Sequence, residues 1–127
     1  MKIVCLVNRT QNAVLCEKCF IADTFWTRLR GLQYRAPLQE NEGLLITQCP
    51  SVHMIGVRFP IDVIFLTEDN RVTDWVESLP GGFRFYVARA RPNKTKQIVG
   101  KPITAIELPA GSIARQVLEI GDQIETD

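Results

Sequence analysis

Short apolar runs separated by turn residues, rather than long helical periods, set the character of this chain. Lys2 to Val7 and Ala13 to Ile21 are apolar and rich in β-branched residues, and turn formers fill the Asn8 to Asn12 segment between them, which predicts a hairpin. Gly43 to Thr47, Val52 to Gly56 and Asp62 to Thr67 read as further strands. The last meets Arg71 to Glu77 across Glu-Asp-Asn, a tight turn in which Asn70 can take the left-handed position. After Pro80-Gly81-Gly82 come a strand at Phe83 to Ala90, a polar loop, a strand at Ala105 to Leu108 and a closing strand beyond Gly121-Asp122.

One segment has helical spacing. Asp23 or Thr24 can cap it, Phe25, Trp26, Leu29 and Leu32 fall near one stripe, and Arg28 and Arg30 take the wetter side. Gly31 weakens its end and Pro37 follows, so the helix is expected near residues 23–34, finishing around Tyr34, with a single helical turn near 112–117. These elements predict a β-rich α+β fold with a mostly antiparallel sheet. Closure into a small barrel would remove its exposed edges, and a flat two-layer sandwich is the alternative.

Composition narrows the function classes. A chain of 127 residues, 46% hydrophobic, suits one domain over residues 1–127 that buries roughly two thirds of its unfolded surface. Fifteen basic and fourteen acidic residues leave a net charge of +1, which excludes a surface built throughout for nucleic acid or anionic lipid. The first residues hold one lysine and then five apolar residues before Asn8 and Arg9, too few for a signal-peptide core or a membrane span. The expected location is therefore the cytoplasm. There Cys5, Cys16, Cys19 and Cys49 are expected as reduced thiols.

Candidate chemistry concentrates in CPSVHMIGVRFPIDVIF, Cys49 to Phe65, which holds the only histidine. His53 with Cys49 would make the catalytic pair of a thiol hydrolase, although no Gly-x-Cys-x-Gly elbow accompanies them. Cys16 and Cys19 have the spacing of a zinc knuckle that Cys49 and His53 could complete. Residues three apart in a strand point to opposite faces, so no metal or other cofactor is expected and the cysteines read as small buried hydrophobes.

Asp62 enters an apolar strand, where a carboxylate needs a partner, and Arg58, Arg30 or Arg35 could pair with it. Any of Arg28, Arg30 and Arg35 facing a pocket would favour a carboxylate or phosphate. The candidate ligand set is Arg30, Arg35, His53, Arg58 and Asp62. Between Ser78 and Ile106 there are arginines and lysines but no acid, with Phe83, Phe85 and Tyr86 nearby. Arg84, Tyr86, Arg89 and Arg91 would serve single-stranded nucleic acid there, while a solvated loop with its aromatics turned inward is the favoured reading.

ADTFWTRLRGLQYR (Ala22 to Arg35), EGLLI (Glu42 to Ile46), VHMIGVRFPIDVIFL (Val52 to Leu66) and AIELPAGS with its later Gly-Asp occur in an order that resembles the bacterial and archaeal family called domain of unknown function 192. Arg28, Arg30, Gly31 and Leu32 match its Arg-x-Arg-Gly-Leu piece, and Pro60 and Asp62 its Pro-x-Asp piece. Where the common pattern has Trp-Met-Lys-Asn-Thr, this chain has His53-Met54-Ile55-Gly56-Val57, which resembles a His-bearing bacterial subgroup. The resemblance implies a small β-rich domain and supplies no reaction. The expectation is a non-enzymatic binding or assembly module whose recognition surface lies around residues 49–62 and meets a protein partner or small anion. A Cys/His hydrolase and a weak single-stranded nucleic-acid binder through residues 84–101 are the alternatives.

Overall fold

The computed structural model describes every residue except Tyr34. The elements run β1 (Ile3–Asn8), β2 (Ala13–Ala22), α1 (Phe25–Arg30), β3 (Glu42–Ile46), β4 (Ser51–His53), β5 (Ile61–Leu66), β6 (Val72–Leu79), β7 (Phe85–Val87), β8 (Thr104–Pro109) and β9 (Ile124–Thr126). A seven-stranded sheet has the order β6-β5-β8-β3-β2-β1-β9, and β4 pairs with β7 in a separate two-stranded sheet. Neighbours are antiparallel except β2 and β3, which run parallel because the connection through α1 returns the chain to its starting end. The β-rich class with one short helix is as the apolar runs predict.

The large sheet is covered on both faces, which is why all six residues of β5 are buried. Ile61, Val63 and Phe65 pack with Leu44, Ile46 and Ala105 beneath a layer that includes Leu32, Leu38, Val52, Met54 and Val57. Ile64 and Leu66 alternate onto the other face with Leu6, Ile106, Leu108, Ile113 and Ile124. Each face is a continuous apolar cluster. Burying a side chain of this size contributes about 1.5–3 kcal/mol, so both clusters are needed to hold the sheet.

The expected barrel does not close. Its two edge strands, β6 and β9, meet only at an isolated Arg71–Gln123 bridge and the backbone bonds beside it, since β9 has three residues to offer. The helix is also shorter than the expected 23–34 span. Thr24 and Thr27 form a reciprocal capping box at its start and Gly31 ends it at φ 51°, while the expected finish at Tyr34 lies outside the described residues. Near 112–117 there are consecutive turns rather than a helix, held by Ser112 N–H to Pro109 O and Gln116 N–H to Ile113 O.

The left-handed Asn70 and the Gly121-Asp122 turn hold as read from the sequence, and the structure adds a close approach at Gly43. Asn70 takes the left-handed conformation at φ 63° in the β5–β6 turn. Asp122 is buried and accepts hydrogen bonds from Glu119 N–H and Asn8 Nδ2, which ties the β1–β2 turn to the last strand. Gly43 marks a close approach: a Cβ there would lie 2.8 Å from Cys16 Sγ and 2.9 Å from Leu108 Cδ2.

Candidate functional site

The site begins with an acid on β8. Ala105 and Glu107 alternate with Ile106 and Leu108, so Glu107 points into the face beneath β4, opposite Leu44 of β3 and Val63 of β5. Only 3% of it is exposed, and its Oε1 has no hydrogen-bond partner among the described residues. Burial alone pushes its carboxyl up to about 8, so at neutral pH it is mostly the uncharged acid.

Gly31 lies above it. A Cβ at Gly31 would stand 4.0 Å from Glu107 Oε1 and 3.9 Å from Ile46 Cδ1, so the turn that ends α1 forms a close wall over the carboxyl. Beside this wall opens a cavity of ≈ 50 Å³ whose lining includes Arg28, Arg30, Gly31, Cys49, His53 and Glu107. That volume admits a few water-sized groups.

The mouth is apolar as well as basic. No residue of α1 is buried, which leaves Phe25, Trp26 and Leu29 at 63%, 74% and 55% exposure instead of turned inward as their spacing suggests. Leu32 of that stripe alone reaches the core, after the helix has ended. Leu29 lines the cavity, and Phe25 lies one turn before it on the same side. Across the opening, Ser51 and His53 of β4 stand opposite Val87 and Phe85 of β7, so these four share the outer face of the small sheet.

Of the proposed catalytic pair, both members reach the cavity wall. The Cys49 thiol donates to Ser51 O at 2.9 Å, and burial, followed by the nearby Glu107, pushes it up to about 11. It is a thiol, not a thiolate, at neutral pH. Arg30 lies at the mouth, while Arg28 donates to Gln48 Oε1. Arg35 instead sits over the Phe20 ring at 5.8 Å, and Arg58 is exposed outside the lining.

Asp62 does not join them. It is fully buried and accepts from Ser78 N–H at 2.8 Å and Ile113 N–H at 2.9 Å, so two backbone donors satisfy it where an arginine was expected. The basic segment is likewise organised around an acid. Asp74 accepts from Tyr86 Oη and Arg89 N–H and pairs with Arg91, whose guanidinium lies 4.5 Å over Trp75. Tyr86 stacks on Phe65 at 5.7 Å and turns inward, whereas Arg84 and Phe83 are exposed.

Cys16 and Cys19 differ from the strand rule. Val4 pairs with Cys19 and Leu6 with Cys16, so Cys5 of β1 faces both Glu17 and Lys18 of β2, and this bulge puts both thiols inward. The two thiols interact side by side, which holds Cys16 below the usual thiol range and, together with burial, pushes Cys19 well above it, while each also lies against a backbone carbonyl, Asn41 O and Phe20 O respectively. They pack on the opposite sheet face from Cys49, and no group of three potential ligands for a metal comes together among the described residues.

The family model described as uncharacterized ACR, DUF192, matches residues 6–126. The chain belongs to the DUF192 family. It is 32% identical to a UPF0127 protein of Thermococcus sibiricus over 124 residues, covering 94% of this chain and 73% of that relative. A UPF0127 protein of Pyrococcus furiosus is 32% identical over 127 residues, covering 94% and 96% respectively. Among solved structures, a protein of unknown function from Novosphingobium aromaticivorans matches with TM-score 0.73 at 23% identity, covering 97% of this chain and 83% of that one, which shows the shared fold. Within this DUF192 chain, Glu107 is the residue that the sequence reading missed. Its signal was an acid at the inward position of Ala105 to Leu108, an otherwise apolar strand.

Proposed function

We propose that this protein is a non-enzymatic binding module whose recognition site is the cavity over Glu107, framed by α1 on one side and the outer face of β4 and β7 on the other. The observation that carries the reading is the buried Glu107 oxygen, which has no hydrogen-bond partner among the described residues, beside an open cavity. A buried polar group left unsatisfied costs about 1–3 kcal/mol, and an occupant that completes its bonding recovers that energy on binding. The apolar side chains of α1 and β7 offer contact area around the opening, and Arg28 and Arg30 bring positive charge. The surface expected around residues 49–62 thus contributes Cys49, Ser51, Val52, His53 and Val57, while α1 with the turn after it, Ile46 of β3 and Glu107 of β8 supply the rest.

A thiol hydrolase asks more of the residues. It needs Cys49 as a thiolate, and its surroundings hold it protonated. Native mass spectrometry of the untagged protein, purified gently from its own host, tests the binding reading. A retained mass that disappears in Glu107→Leu and survives in Arg84→Ala is the expected result. A protein without retained mass, or a retained mass indifferent to Glu107, would refute the assignment.

A further inference from the structure

We propose that the occupant of this cavity is a carboxylate carried on an apolar body, which accepts a hydrogen bond from the neutral acid of Glu107 and pairs its charge with Arg30. The inference rests on the binding reading above and gives it a ligand class. Charge decides between the two signs a ligand could have. Glu107 is the one acid among the described residues that line the cavity, and Arg28 and Arg30 both stand there. An ammonium group would meet two guanidiniums and would need Glu107 ionised in a site that burial makes costly. A carboxylate meets two cations and a donor.

Size and surroundings decide the rest. A volume of ≈ 50 Å³ takes a carboxylate head and little more, so the remainder of the ligand must lie outside. Leu29 lines the cavity and Phe25 lies one turn before it, while Phe85 and Val87 stand opposite the lining residues His53 and Ser51, and all four apolar side chains are more than half exposed and free to contact that remainder. A free apolar acid and the C-terminus of a peptide with an apolar last residue present the same chemistry. Arg28 already donates to Gln48, which leaves Arg30 as the more available cation.

The test is calorimetric titration of the whole chain with hexanoate, hexylamine, and a short peptide ending in leucine as the free acid or the amide. Hexanoate or the free-acid peptide is expected to bind at pH 7, and which of them binds more tightly identifies the source. Because only protonated Glu107 donates, and its carboxyl titrates near 8, affinity for the carboxylate should fall about thirtyfold between pH 7 and 9.5. Glu107→Gln keeps a donor and should bind with little of that pH dependence, whereas Glu107→Leu should lose binding. Arg28, Arg30, Cys49 and His53, the titratable groups that face Glu107, are common to wild type and Glu107→Gln, so the difference between the two isolates Glu107.

Binding of hexylamine, equal binding of the amidated peptide, loss of carboxylate binding in Glu107→Gln, or no binding by any probe would each overturn the carboxylate assignment. A host-derived mass that still depends on Glu107 would, in those cases, leave the cavity as a binding site for other chemistry.

Discussion

The buried acid makes the stability of this protein depend on pH in an unusual direction. Glu107 holds its proton up to about pH 8 in the folded chain and only to 4.5 when unfolded. Between those values the folded state binds more protons, so stability must fall as pH rises, by about 1.4 kcal/mol per unit. The contribution is complete below 4.5, declines through the interval and is flat above 8. From pH 5 to pH 9 the loss is about 4 kcal/mol, a large part of the 5–15 kcal/mol that holds an ordinary domain. Glu107→Gln removes the titration with little change of shape. Urea unfolding of both proteins between pH 5 and 9, followed by tryptophan fluorescence, reads the difference directly, since titrating groups that Glu107 does not influence cancel, and Cys49, which it does, stays a thiol over most of this range. The gap in favour of the variant should widen steadily to pH 8 and then level. Parallel profiles would mean that Glu107 is ionised and satisfied in the folded protein, and the account of the cavity would fail with it.

Other substitutions separate framework from site. Asp62→Ala strands the N–H groups of Ser78 and Ile113, so urea unfolding should show a loss of about 2–5 kcal/mol, with Asp62→Asn in between; unchanged stability would contradict the assigned bonds. Gly43→Ala forces a methyl into the space of Cys16 and Leu108 and should cost about 1–3 kcal/mol by the same assay, while a neutral result would show that β2 and β8 can part freely. Cys49, with its thiol raised to about 11, should react with iodoacetamide at pH 7.5 about tenfold more slowly than in the urea-unfolded chain. Mass spectrometry of the alkylated peptides would expose a faster Cys49 and restore the hydrolase reading.

What could be read from the sequence was local. The β1–β2 hairpin, the left-handed Asn70 and the Gly121-Asp122 turn each depend on a few neighbouring residues whose backbone preferences decide the outcome. Long-range consequences were hidden. The helix stripe was sound as a pattern, but α1 ends at Gly31 before it can lie down on the sheet, so its aromatics remain outside. The β2 bulge inverts the expected facing of Cys16 and Cys19, because one extra residue in a ladder shifts every side chain beyond it. Arg30, Cys49 and His53 do meet at one cavity, whereas Arg35, Arg58 and Asp62 do not line it. No pattern within residues 49–62 points to Glu107, which joins the site only through the pairing of β8 with β3 and β5.

The contrast among buried acids is the strongest argument for function in this molecule. Asp62 has two backbone donors, Asp122 has Glu119 N–H and the Asn8 amide, and Asp74 has Tyr86, Trp75 and Arg89 with Arg91 beside it. Three carboxylates therefore show that this fold can satisfy an interior acid wherever one serves the framework. Glu107 lies on a central strand, as deep as they are, yet its Oε1 has no hydrogen-bond partner among the described residues. Structure alone would be better served by leucine, which would fill the same space without an ionisable group. Glu107→Leu should accordingly be the more stable protein at pH 8 by urea unfolding and should lose the ligand in titration. A variant less stable than wild type would show that the acid belongs to the framework after all, and the cavity beside it would no longer argue for a ligand.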